Sequence, residues 1–321
     1  MTAPAAAAAS PRLAVIGAGA VGGFVAAHAQ AAGLDTTLCT RTPRAGFEVH
    51  RAGRVLRVPV RCATRPEDQL PFDWLLLAIK AQDTAGAAPW LRHLVGPGTV
   101  VAVLQNGVGQ DRRVAPLVAA GTCVLPVVLN FSTEQVAPGR IVHHAGGQLV
   151  VPDGVPGRRL AALFRGSGLR VTPEADFTSA AWRKLLANLA ANPLTALLQQ
   201  RNRIFADPDV RRLCAGILDE GLSVARAEGA NLGADDVSAT LAMYERAARA
   251  DGGTTMLYDR LAGRPLEHEF ITGEVVEAGL RNGIPTPLNR ALLTMLRAVD
   301  RSQPARGRQV SDTPSVRAGR P

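Results

Sequence analysis

Lysine is nearly missing from this 321-residue chain: of its 36 Lys and Arg residues, only Lys80 and Lys184 are lysine. Almost every position that needs only positive charge carries Arg. Arg holds its proton at any working pH, whereas a Lys ammonium gives its proton up readily once desolvated. Proton-transfer chemistry is therefore open to Lys and nearly closed to Arg. The two exceptions are candidate chemical groups, to be judged by their positions. An Ala/Gly/Pro/Arg-rich composition also arises from codon bias, and in that case the two lysines carry no information.

Other absences narrow the class. No run of about 18 apolar residues occurs. The nearest stretch, 114–129, is interrupted by Pro116, Gly121 and Pro126, so no membrane span is expected. The four cysteines, Cys39, Cys62, Cys123 and Cys214, form no CxxC pair, and His143-His144 has no Cys or carboxylate at zinc-ligand spacing. No metal site is expected, and free thiols fit a cytoplasmic protein in a reducing compartment. Residues 1–10 are Ala-rich without a basic start or a Leu/Val-rich core, and read as a disordered leader rather than a signal peptide. The net charge is +9, but residues 301–321 hold five Arg and one Asp and read as a disordered basic tail. The densest basic stretch, Arg51, Arg54, Arg57 and Arg61, has no interleaved aromatics, so no nucleic-acid partner is expected. An anionic small molecule suits the charge equally well.

Apolar runs at 13–16, 36–39, 74–79 and 99–104 are continuous rather than alternating, which indicates strands covered on both faces. Helix-like stretches lie between them, with further strands expected at 123–130, 139–144 and 148–152. Beyond residue 177 the pattern turns helical, at 178–200, 207–228, 234–250, 268–282 and 287–299. The expectation is an α/β fold: an N-terminal Rossmann-type doubly wound sheet over 11–177, then an all-α domain over 178–300. The length suits two domains, each with its own core.

Gly17-Ala-Gly19-Ala20-Val21-Gly22 follows the first strand and opens the first helix. In that context Gly17 permits a tight turn, Gly19 lets backbone approach a pyrophosphate, and Gly22 allows close helix–strand packing. The helix start, with Ala20 and Val21, offers free N–H groups to phosphates. The second strand ends at Thr40-Arg41, where NAD-binding chains usually carry an acid for the ribose 2′-OH. Arg41 suits a 2′-phosphate instead, so NADPH is the expected cofactor.

Lys80 follows the strand 74–79 and Asn106 follows the strand 99–104. Both fall at strand carboxyl ends, where open α/β sheets bind ligands. Lys184, Asn188 and Asn192 are spaced i, i+4, i+8 on one helix face among apolar residues. Such a polar stripe needs partners or a ligand, because buried unpaired polar groups are costly.

These residues together resemble the ketopantoate reductases (2-dehydropantoate 2-reductases). The resemblance covers residues 12–300 and rests on GAGAVG, Ile79-Lys80-Ala81, Leu104-Gln-Asn-Gly107, the K-x-x-x-N-x-x-x-N-P helix from Lys184, Met256-Leu257 and Arg264-Pro-x-Glu267. It implies NADPH-dependent reduction of ketopantoate to pantoate, in pantothenate and coenzyme A biosynthesis, in a cleft between the two domains. It implies Lys184 as proton donor, with Glu267 assisting by contacting Lys184 or the substrate hydroxyl. Asn106, Asn188, Asn192 and Thr255 would bind substrate, and Lys80 and Asn106 would flank the nicotinamide. Hydride arriving at a carbonyl leaves an alkoxide, and an aimed ammonium both stabilises it and protonates it.

The chain departs from the family at Thr254-Thr255-Met256 (commonly Ser-Ser-Met), at Leu266-Glu267-His268-Glu269 (commonly Thr-Glu-Ile-Asp) and at Asp251-Gly-Gly253. All three fall at the expected substrate pocket. Another branched 2-oxo acid is therefore an alternative substrate, and a non-catalytic NADP-binding sensor an alternative function. β-Hydroxyacid dehydrogenases share the architecture but place Asn three residues after the catalytic Lys, where here it is four. A monomer and a homodimer are both compatible with the sequence.

Overall fold

The computed structural model of the protein describes residues 10–302. The expected leader, apart from Ser10, and the expected basic tail beyond Ser302 lie outside the described residues. In chain order the strands are β1 (Arg12–Ile16), β2 (Asp35–Cys39), β3 (Gly46–Arg51), β4 (Arg54–Pro59), β5 (Arg61–Ala63), β6 (Phe72–Leu77), β7 (Val95–Val103), β8 (Cys123–Pro126), β9 (Val128–Ala137), β10 (Arg140–Pro152) and β11 (Arg170–Glu174). The helices are α1 (Ala20–Ala31), α2 (Ala88–Leu94), α3 (Gln110–Val114), α4 (Val155–Leu163), α5 (Phe177–Leu189), α6 (Ala191–Leu198), α7 (Pro208–Ala227), α8 (Ala234–Ala250), α9 (Thr255–Leu261), α10 (Thr272–Arg281) and α11 (Pro287–Ser302).

Six strands form a parallel sheet in the order β5-β2-β1-β6-β7-β8. Both faces are covered, which is why these strands read as unbroken apolar runs. Leu75, Leu76 and Leu77 on β6 point to alternate faces, yet none is more than 1% exposed. Leu13, Val15, Trp74 and Leu76 pack on the α1 side, and Ala14, Ile16, Leu75 and Leu77 on the side of Leu91 and Leu94 in α2. Burying each such Leu or Val contributes about 1.5–3 kcal/mol relative to exposure.

A second sheet, unforeseen in the sequence, joins β3, β4, β9, β10 and β11. Its cause lies in α1, where Gly22 to Ala29 are all buried. A helix that is apolar all round must be covered on both sides. The parallel sheet covers one side, and Phe47, Val49, Val58 and Ile141 of the second sheet cover the other. Three of the four arginines of the basic stretch belong here: β3 and β4 form a hairpin that pairs Glu48 with Arg57 and Arg51 with Arg54, while Arg61 lies on β5 of the parallel sheet. The strand expected over 123–130 is divided into β8 and β9. Those expected over 139–144 and 148–152 are one strand, β10, with register shifts around Ala145 and Gly146.

After β11, all regular structure among the described residues is helical. Asp176 caps α5, its carboxylate accepting from the Ser179 N–H at 3.1 Å. The helix expected over 178–200 is in fact two, broken at Ala190. Pro193 is the cause, since it lacks the N–H that would bond the Leu189 carbonyl. The helix expected over 268–282 also starts late: His268–Phe270 is a 3-10 turn, and α10 begins at Thr272. The two halves share a core, in which Val108, Val128 and Val150 pack with Trp182, Leu185 and Leu186.

Candidate active site

The strand order reverses between β1 and β6, so the chain leaving their carboxyl ends passes to opposite faces, to α1 and to α2, and leaves a crevice between. The loops after β1, β6 and β7 bring Gly17, Lys80 and Asn106 to this edge. Gly17 has φ 115, and a Cβ there would stand 2.8 Å from the Ala78 carbonyl oxygen; at Gly22 it would stand 2.0 Å from the Gly17 oxygen. Neither position admits a side chain. Around Gly19 the opposite holds, with nothing within 4 Å of the Cβ position. No side chain caps α1, so the first-turn amides of Ala20, Val21 and Gly22 face this open ground. The cradle fits a dinucleotide pyrophosphate, which takes backbone N–H groups and a helix N-terminus. Beyond β2, Arg41 is exposed and has no ion-pair partner among the described residues. Arg44 is half-buried beside it, its Nε buried without a hydrogen bond.

Lys80 does not stand alone. Its ammonium is ion-paired with Asp259 of α9, and Glu267 Oε2 lies 3.9 Å away. Asp259 also accepts from Arg264 Nε at 2.8 Å. Glu267 accepts from Asn106 Nδ2 at 3.2 Å and from the Ala81 N–H at 3.5 Å. Asp259 and Glu267 are both buried, so their charges depend on these donors. The contact is possible because the Asn106-Gly107 turn abuts the 3-10 turn at His268–Phe270. A Cβ on Gly107, at φ 93, would come within 2.2 Å of the Phe270 carbonyl oxygen. Lys80, Asn106 and Glu267 thus come together. Of the two contacts expected for Glu267, with Lys184 or with the substrate hydroxyl, the one with Lys184 is not formed: Glu267 faces Lys80 and Asn106.

Lys184 is the opposite case. It is half-buried on α5 and has no hydrogen bond or ion pair among the described residues. Burial alone pushes its pKa down. Asn188 is half-buried on α5 and Asn192 is buried on α6; neither side-chain amide has a partner among the described residues. The break at Ala190 lies between the two. Thr254 caps α9, accepting from the Leu257 N–H at 3.2 Å, and its hydroxyl meets that of Thr195 on α6 at 2.6 Å. Thr255, next in line, is exposed, and its hydroxyl has no partner among the described residues.

Sequence reasoning missed Asp259. Its signal was an acid three residues after buried Met256, on the apolar face of a short helix. No group of His, Cys, Asp and Glu among the described residues could hold a metal ion.

Comparison with known proteins extends the geometry. The family model "Ketopantoate reductase PanE/ApbA" matches residues 13–155, and "Ketopantoate reductase PanE/ApbA C terminal" matches residues 176–300. The 2-dehydropantoate 2-reductase of Mycobacterium tuberculosis is 41% identical over 288 residues, covering 89% of this chain and 97% of its own. The crystal structure of 2-dehydropantoate 2-reductase from Geobacter metallireducens superposes with a TM-score of 0.84 at 30% identity, over 89% of this chain and 99% of that one. The dimeric ketopantoate reductase of Staphylococcus aureus superposes with a TM-score of 0.82 at 28% identity, over 91% of this chain and all 100% of that one. With both family models spanning most of its length, the chain belongs to the ketopantoate reductase family of oxidoreductases.

Proposed function

We propose that the protein is a 2-dehydropantoate 2-reductase that uses NADPH to reduce ketopantoate to pantoate, for pantothenate and coenzyme A biosynthesis. The observation that carries this reading is Lys184: an ammonium partly withdrawn from water, with no counter-ion among the described residues, followed along the chain by the unpartnered amides of Asn188 and Asn192. Such a group is costly unless a ligand completes it. A 2-oxo acid has the required parts, a carboxylate and a polarised carbonyl.

The Gly17–Gly22 cradle would hold NADPH, which would supply the hydride for the carbonyl carbon. Lys184 holds its proton at the carbonyl oxygen, where its charge opposes the negative charge that develops there. Its lowered pKa makes it the more willing donor, and transfer of that proton completes the alcohol. Asn188, Asn192 and Thr255 take the polar groups of the substrate. Lys80 and Asn106 flank the nicotinamide, and Glu267 and Asp259 hold them in place. Arg41 receives the 2′-phosphate. The four free thiols and the biosynthetic role suit the cytoplasm. The protein acts as a monomer or a homodimer, and the S. aureus relative is described as dimeric.

A second reading keeps the chemistry and changes the substrate. Thr254, Thr255 and Leu266 stand where the family commonly has Ser, Ser and Thr, so another branched 2-oxo acid remains in competition. The test is NADPH and NADH oxidation with a panel of 2-oxo acids. Fastest turnover with ketopantoate and NADPH is expected. Faster turnover of another acid moves the substrate, and no turnover of any favours a non-catalytic sensor.

A further inference from the structure

Asn106 reaches Glu267 from a loop, and loops need holding. The holding group is Arg113 on α3, four residues into the helix that follows the loop. Its Nη1 donates to Gln105 Oε1 at 3.0 Å and its Nη2 to the Val108 carbonyl at 3.3 Å, the residues that bracket the Asn106-Gly107 turn. The same guanidinium crosses to the helical half. It lies over the Phe270 ring, 4.5 Å from its centroid, and Nη2 stands 3.5 Å from Glu274 Oε1. Phe270 and Glu274 lie three and seven residues after Glu267. Gln105 carries the hold further, donating to the Ile79 carbonyl, next to Lys80, at 3.2 Å.

We infer that Arg113 is a positioning residue: one guanidinium, bridging Gln105 and Val108 to Phe270 and Glu274, registers Asn106 and Lys80 against Glu267 across the cleft. Its role in turnover rests on the reductase reading above. The arrangement needs a planar fork with several donors and a stacking face, which Lys cannot supply. The side chain is 13% exposed, against 59% for its neighbour Arg112, so its charge is held inside the protein and depends on these partners. Burial lowers its pKa while the charges of Glu274 and Glu267 oppose that shift, which puts Glu267 within its field.

The experiment compares full-length wild type with Arg113→Lys, Glu274→Gln and the control Arg112→Lys. Amide hydrogen exchange is followed over 104–109 and 266–271 without ligand, and kcat, KM and NADPH dissociation are measured alongside. Arg113→Lys is expected to speed exchange in both segments and to lower kcat about tenfold, the loss expected when a charged hydrogen-bond set goes. NADPH dissociation is expected to change less than about twofold, because the Gly17–Gly22 cradle is untouched. Arg112→Lys is expected to match wild type. Faster exchange confined to α3, or equal effects of Arg112→Lys and Arg113→Lys, overturns the proposal. If Arg113→Lys loosens the whole protein, Glu274→Gln decides, since it alters only the far side of the bridge. Faster exchange at 104–109 in that variant supports the proposal, and no change there overturns it. A wild type that reduces no 2-oxo acid overturns the reductase reading instead, and the exchange results still decide the role of Arg113.

Discussion

Lys80 and Asp259 are 179 positions apart in sequence and form an ion pair across the cleft between the sheet and the helices. Lys80 comes from the loop that follows β6 and Asp259 from within α9. Asp259 is 4% exposed and is shared with Arg264. One of the two lysines is therefore matched to carboxylates, and the other, Lys184, is left without one among the described residues. That contrast assigns them different work.

The ion pair predicts strong coupling. Lys80→Met and Asp259→Asn each remove one side of a partly buried pair and are each expected to lower kcat/KM and Tm. Together they are expected to be no worse than the more harmful single change, with a coupling of about 0.5–3 kcal/mol. A double-mutant cycle on rates and on thermal unfolding reads this. Simple additivity would mean that the two residues act separately.

Lys184 predicts the alkaline limb of the pH–rate profile. A proton donor must carry its proton, so reduction is lost as pH rises through the folded pKa, which burial has lowered. The limb in kcat/KM is expected below the ordinary lysine range. The oxidation of pantoate needs the neutral amine and is expected to gain over the same window. Stability has the opposite sign to reduction: the unfolded chain binds this proton more tightly, so stability rises with pH between the folded and unfolded pKa values. A reduction profile flat up to the ordinary lysine range excludes Lys184 as the titrating donor.

Arg41 predicts cofactor choice. It is exposed and unpaired among the described residues, so its loss costs little stability. Arg41→Ala is expected to raise the NADPH dissociation constant by about tenfold or more and to leave NADH nearly unchanged, since charge-assisted bonds to a phosphate are worth about 1.5–3 kcal/mol. Fluorescence titration with both nucleotides reads the difference. Equal weakening of both removes the 2′-phosphate from the role of Arg41.

The parallel sheet is legible in the sequence because strands buried on both faces leave continuous apolar runs, such as the one over 74–79. The glycine loop is legible because Gly17 and Gly22 answer to steric contacts that no other residue meets. The second sheet is hidden, since in β4 Arg54 falls on the same face as Leu56 and Val58 while Val55 is exposed, which breaks the apolar alternation. The Lys184–Asn188–Asn192 stripe is visible from spacing alone, but the break at Ala190 follows from Pro193 acting four residues upstream. Glu267 stands out in the sequence, but which lysine it faces does not, because that depends on how the Gly107 turn meets Phe270. Arg112 and Arg113 are chemically identical neighbours, and only burial separates them.

Everything proposed for the reaction turns on Lys184 as the donor of the proton in reduction of a 2-oxo acid. The most direct measurement compares wild type and Lys184→Ala for NADPH oxidation at saturating ketopantoate, with NADPH binding measured in parallel. With Lys184 as donor, kcat is expected to fall by about 10²-fold or more while the NADPH dissociation constant stays within about twofold. Turnover retained at the wild-type level in Lys184→Ala would contradict it.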